Sequence, residues 1–199
     1  MKKIIYCNLI FVLYAIAVLA QKGERVMGIY KTGKDFIDGK LSFSVDCNSK
    51  ESEIKLNDVF NKKYITITGK AAVYRLFKDS IYGYETCNNR VYRFLNKKEL
   101  LLINPGEEIL IYKHLLSKPM TAGEANVTNY YFSIGKDKEL KKLTINNLKN
   151  SFHDNIKFQL LIDRHFKYNT DLVAFAGTNK MYTINWLLQQ TENKESTIH

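Results

Sequence analysis

From residue 41 to residue 134 the chain reads as a succession of short strands divided by turn residues, and that rhythm leaves few folds open. The runs 41–46, 53–56, 64–68, 72–77, 81–86, 91–95, 100–103, 109–115 and 128–134 are rich in Val, Ile, Tyr, Phe and Thr. Side chains branched or aromatic near the backbone suit a pleated surface, and turns at regular spacing point to antiparallel pairing. Tyr64-Ile65-Thr66-Ile67-Thr68 alternates, which predicts one buried and one wet face. The runs 100–103 and 109–112 are apolar on both faces, which predicts a place mid-sheet or beneath a helix.

The turns carry their own logic. Gly69-Lys70 suits a tight hairpin, because glycine takes positive φ without penalty. Asn104-Pro105-Gly106-Glu107 reads as a type II turn. Asn88-Asn89 suits a two-residue hairpin loop, since Asn tolerates the left-handed region. With that loop Tyr84 faces Arg93 and Thr86 faces Val91. Tyr82, Tyr84, Val91, Arg93 and Leu95 then share one face, and Tyr92, Phe94 and Cys87 the other.

Beyond a surface loop at 117–126, the pattern changes to helix. Thr144 can cap a helix burying Ile145, Leu148 and Phe152, and Asp154 one that runs to about Phe166. The second carries two apolar stripes, Ile156/Leu160 and Phe158/Ile162/Phe166. Asp171 and Gly177 bracket a short helical turn, and Thr178 caps a last helix with Met181, Ile184 and Leu188. The expected fold class is α+β: an antiparallel meander sheet, curled or barrel-like, with C-terminal helices packed on it. The expected segments are a signal peptide at 1–20, a β region at 21–135, helices at 136–190 and a polar tail at 191–199.

The leader reading rests on Lys2 and Lys3, the apolar run 4–20 and the small-residue pattern Val18-Leu19-Ala20. The rival is an uncleaved anchor. A spanning helix wants about 20 apolar residues, and this run is shorter, contains Asn8 and ends in a cleavable pattern. Cys7 lies too early for lipid attachment after a signal. No later stretch is long and apolar enough to span a bilayer, so the mature chain is expected to be soluble or peripheral, periplasmic or extracellular.

The formal charge is +10, and loss of the leader leaves about +8. Either the surface is simply solvated, or the partner is anionic, such as an envelope component. Arg occurs only at Arg25, Arg75, Arg90, Arg93 and Arg164. Specific base and phosphate recognition leans on Arg, so no nucleic-acid partner is expected. Cys47 and Cys87 remain in the mature chain, and they either pair or stay as separate buried thiols. A flat meander sets them four strands apart, roughly 19 Å. A disulfide needs Cα atoms within about 7 Å, so pairing requires the sheet to curl.

No catalytic constellation stands out. Gly-x-Ser-x-Gly, phosphate-loop and dinucleotide patterns are absent, and no cofactor is implied. His153 and His165 lie too far apart on one helix to share an ion, so no metal site is expected. Glu107-Glu108 and Glu51/Glu53 read as turn charge; a glycosidase pair would need two carboxyls facing one cleft. Tyr74, Tyr82, Tyr84, Tyr92, Tyr112, Tyr130 and Tyr131 fall in strands. They either pack across strands or stack on sugars or peptides. Tyr82, Tyr84 and Arg93 are the first candidates for a ligand-facing site. The expected function is a non-enzymatic envelope or extracellular binding or structural module, with another envelope protein as a further kind of partner. The alternatives are a small envelope-polymer hydrolase and a carrier of an apolar ligand.

Several stretches carry a resemblance. They are Lys55-Leu56-Asn57-Asp58-Val59-Phe60-Asn61-Lys62-Lys63-Tyr64-Ile65-Thr66, Tyr82-Gly83-Tyr84-Glu85-Thr86-Cys87-Asn88, Tyr92-Arg93-Phe94 and Asn104-Pro105-Gly106-Glu107-Glu108-Ile109-Leu110-Ile111-Tyr112. With the 157–166 and 180–185 segments, they resemble a group of exported proteins of Bacteroidota to which no function is assigned. The resemblance implies a bacterial periplasmic or secreted setting and carries over no catalytic residue.

Overall fold

Val26–Tyr30 forms β1, a strand absent from the sequence expectation, and it organises the sheet around itself. The structure, a computed structural model, describes residues 25–56, 62–69, 72–114 and 128–192. The leader at 1–20, the loop at 117–126 and residues 193–199 of the tail lie outside the described residues. After β1 come the short helix α1 (Gly33–Ile37), β2 (Phe43–Asp46), β3 (Glu53–Lys55), β4 (Tyr64–Thr68) and β5 (Val73–Phe77). There follow β6 (Gly83–Glu85), β7 (Val91–Leu95), β8 (Lys98–Leu102), β9 (Ile109–His114) and β10 (Tyr130–Ile134). The remainder is β11 (Lys141–Lys142), α2 (Ile145–Ser151), α3 (Ile156–His165), β12 (Phe175–Ala176), β13 (Met181–Tyr182) and α4 (Thr183–Glu192).

The class is α+β, built on a long antiparallel sheet with the strand order β11-β10-β9-β8-β7-β6-β1-β2. It is a meander from β6 to β11, as expected. At the other end β1 sits between β2 and β6, and β3-β4-β5 leave to form a sheet of their own. This corrects the single up-and-down meander and brings the cysteines together. Cys47 and Cys87 sit past the ends of the two strands flanking β1, and they form a disulfide with Cα atoms 5.8 Å apart. The Cys47 amide also donates to the Arg25 carbonyl at 2.9 Å, which draws the end of β2 inward.

The long sheet has two differently covered faces. Ile109, Ile111 and Phe132 point to one side and meet Leu148 of α2, Phe158 and Ile162 of α3, and Ile184, Leu187 and Leu188 of α4. Further along that side Ile29, Tyr84 and Phe94 meet Ile54, Ile65 and Ile67 of the small sheet. β4 shows the predicted alternation, with Ile65 and Ile67 buried. β8 and β9 lie mid-sheet, and Ile109 to Tyr112 are all buried, as their two-sided apolar pattern requires.

The opposite face holds Tyr30, Leu100, Leu102, Leu110 and Tyr112, covered by Phe36 of α1 and by Leu140. The Tyr82 hydroxyl donates to the Lys136 carbonyl, and the Lys136 ammonium lies 5.4 Å from the Phe36 ring. Tyr82 leads into β6 and Lys136 follows β10. Four strand spacings would separate these by about 19 Å in a flat sheet. The sheet therefore curls, and this face is its concave side. It does not close: β2 and β11 remain as free ends of the order.

Thr144 caps α2, its hydroxyl accepting from the Asn147 amide at 3.1 Å. Asn155, not Asp154, caps α3, accepting from the Phe158 amide at 2.9 Å. Asp154 instead pairs with His153 at the surface. The last helix begins at Thr183, and Thr178 lies in a preceding single turn, Gly177–Asn179. The interruption falls where Lys180 takes φ 53° and β13 pairs with β12.

Candidate functional site

Three neighbouring strands bring the site together. Arg93 on β7 faces Leu100 on β8, and Leu100 faces His114 on β9. Directly paired residues project to the same side of a sheet. Arg93 and His114 thus stand on the concave face on either side of Leu100, and Tyr112, two residues before His114, stands with them. Tyr82 enters from the β6 end, its ring stacked on Phe36 at 5.3 Å.

The Arg93 guanidinium lies 4.6 Å from the Tyr82 ring centroid and 5.9 Å from that of Tyr112. Its Nη1 is buried and has no hydrogen-bond partner among the described residues, and the same holds for His114 Nδ1. Glu85 is the acidic residue of β6 on this face, and it accepts from the Tyr30 hydroxyl at 2.5 Å. No carboxylate among the described residues pairs with Arg93. A cation over an aromatic ring gains about 0.5–2 kcal/mol. A buried donor without an acceptor costs about 1–3 kcal/mol. The ring contacts supply no hydrogen-bond acceptor for Nη1.

Burial pushes the Tyr82 phenol well above its ordinary range; nearby Tyr112 adds to this and Arg93 opposes it. Burial, and then the Lys98 cation, hold His114 below the ordinary imidazole range. The face therefore offers the Arg93 guanidinium, the phenols of Tyr82 and Tyr112, and an imidazole that burial shifts toward its neutral form. That set can donate hydrogen bonds to an anionic group. It holds no nucleophile paired with a base.

Tyr84 does not belong to this face, which corrects the sequence expectation. Its side chain is 2 % exposed, stacks on Tyr92 at 4.8 Å and donates to Glu99 Oε2 at 2.8 Å. The reason is register. Thr86 and Arg90 close a loop of Cys87, Asn88 and Asn89, with the Asn89 amide on the Thr86 carbonyl and Asn89 at φ 57°. Three-residue loops place their last residue in the left-handed region in this way. The extra loop residue makes Tyr84 face Tyr92 and Gly83 face Arg93, and a one-residue slip exchanges faces. Tyr82 nevertheless reaches Arg93, because the alternation breaks at Gly83: Ile81 and Tyr84 pack on the side opposite Tyr82.

The other strand tyrosines divide between faces. Tyr130 joins the helix-covered side and Tyr131 the concave side. Tyr74 is 52 % exposed on β5. Sequence pattern does not join His114 and Tyr112 to Arg93, since only the β8 register connects them. Among the described residues no cluster of His, Cys, Asp or Glu could hold a metal ion.

A concavity of about 270 Å³ lies where the turn before β9 meets α4, and Glu107, Glu108 and Glu192 line it. Glu107 is engaged by the Asn104 side chain at 3.1 Å and by the Tyr182 amide at 3.2 Å. Glu108 is pushed above the ordinary carboxylate range by burial and then by the Glu192 charge.

Compared with known proteins, the chain matches no family model, no curated protein and no solved structure.

Proposed function

We propose that this protein is an exported, non-enzymatic binding module of a bacterial envelope, periplasmic or extracellular, whose concave face receives an anionic group of an envelope component. The observation that carries this reading is Arg93: a guanidinium held between Tyr82 and Tyr112, with a buried Nη1 that has no acceptor. A carboxylate, sulfate or phosphate beside it would supply the acceptor, and such charge-assisted bonds are about twice as strong as neutral ones. The apolar leader and the Cys47–Cys87 bond suit an oxidising compartment.

The experiment is calorimetric titration with a uronic-acid oligosaccharide and with its neutral reduced counterpart. The native protein binds the acidic form, and Arg93→Met weakens binding at least about tenfold, the loss of one charged hydrogen bond. Equal affinity for both sugars, or no change in Arg93→Met, overturns the reading.

The glutamate-lined concavity favours a hydrolase as the second reading. There Glu108, whose carboxyl pKa burial and then the Glu192 charge push upward, would serve as the acid. Release of reducing ends from an envelope polysaccharide by the native protein, lost in Glu108→Gln, would put that reading first.

A further inference from the structure

β5 is a strand edge left open in a way that the other edges are not. β11 is only two residues long, and both are exposed lysines. β3 is three residues long and carries Glu53 and Lys55. Short, charged edges of this kind resist pairing with other chains. β2 ends the long sheet with Ser44 and Asp46 outward and Phe43 tucked against Tyr74 of β5 at 6.0 Å. β5 is guarded only by the single charge of Arg75. It pairs regularly with β4 over five residues, without proline or bulge, and no strand among the described residues lies on its other side.

Register says which backbone groups face out. The bonds that bracket the pair, Gly69 amide to Ala72 carbonyl and Lys78 amide to Lys63 carbonyl, place the hydrogen-bonded pairs at the even positions of β5. Antiparallel ladders alternate, so the N–H and C=O groups of Val73, Arg75 and Phe77 point away from β4. The Ser80 hydroxyl takes the Phe77 carbonyl. The remaining groups can pair with another strand. The side chains of these residues share the outer face of the small sheet, and Val73 and Phe77 are 62 % and 57 % exposed.

Charge decides the occupant. Arg75 stands midway between the two apolar side chains, stacked over the Tyr64 ring at 5.1 Å and without a carboxylate partner among the described residues. An antiparallel second copy centred on β5 would set Arg75 against Arg75, and the chain carries a net +10. Like charges directly opposite oppose pairing. We infer that the open edge of β5 accepts an extended segment of another protein, in which one acidic residue lies opposite Arg75 and apolar residues lie opposite Val73 and Phe77. Backbone pairing would supply affinity and the alternate side chains the choice of partner. This surface is separate from the Arg93 face and does not depend on it.

The test uses labelled peptides built on Val-Thr-Glu-Thr-Val, added to the purified protein and followed by fluorescence anisotropy, with sedimentation of the protein alone. The Glu peptide binds saturably, and the same peptide with Lys at the centre binds at least about fivefold more weakly, the scale of one reversed cross-strand charge pair. N-methylation of alternate peptide amides abolishes binding, and Arg75→Glu reverses the preference between the two peptides. Failure of the Glu peptide to bind, or equal binding of both peptides, overturns the inference. So does a native dimer that Arg75→Pro converts to a monomer, because the second copy would then be the occupant. The peptide comparison on the native protein needs no variant to fold.

Discussion

Glu108 shows how one residue's surroundings reach the stability of the whole chain. Burial raises its carboxyl pKa in the folded state, and Glu192 adds to the shift. A raised folded pKa means that the charge is costly once folded. The stability linked to Glu108 is therefore full below the unfolded carboxyl pKa of about 4.3 and is lost as pH rises through the folded value. Glu108→Gln should unfold at higher urea concentration than the native protein at pH 7, and the gap should close as the buffer approaches pH 4. Chemical denaturation at several pH values measures this. Residue type alone made Glu108 a turn carboxylate; burial in the folded chain, and then the charge of Glu192, raised its pKa.

At the scale of elements, the β6–β7 hairpin decides which tyrosines stand on the concave face and which pack against the small sheet. Both strands and the turn between them were legible from alternation and from Asn88-Asn89. The loop length was not, because two- and three-residue loops ask for similar residues. The choice between them exchanges the faces of one strand relative to the other. Gly83 then permits a backbone approach that sequence pattern cannot reveal. A Cβ there would lie 2.0 Å from the Tyr92 carbonyl oxygen. Gly83→Ala should cost about 3 kcal/mol, since neither strand can give way without shifting the pair. Equilibrium unfolding with far-ultraviolet circular dichroism reads that loss. β1 and α1 have weak local signals for a related reason. Val26–Tyr30 is a single short run broken by Gly28, and α1 is signalled only by the Thr32–Asp35 capping box.

For the whole molecule, β1 is the element on which the architecture turns. By pairing with both β2 and β6 it shortens the distance between Cys47 and Cys87, and the disulfide then closes a loop of 40 residues of separation. That loop contains the entire small sheet, whose pairing with the rest is through packed side chains. Replacing both cysteines by Ala should lower unfolding free energy by about 2–4 kcal/mol. Protease digestion of the variant should cut first in the region between β2 and β6, which local opening exposes. Mass spectrometry of the fragments reads the order of cutting.

Sequence by itself determined the elements that announce themselves locally: most strands of the sheet, the Thr144 cap, the mid-sheet place of β8 and β9, and the class α+β. Such features are set by neighbours within a few residues. Only the tertiary structure decided which strand lies beside which, that Tyr84 is core while Tyr82 and Arg93 share the concave face, and that His114 and Tyr112 join them. Those outcomes depend on contacts between segments far apart in the chain, and a one-residue difference in a loop is enough to reverse them.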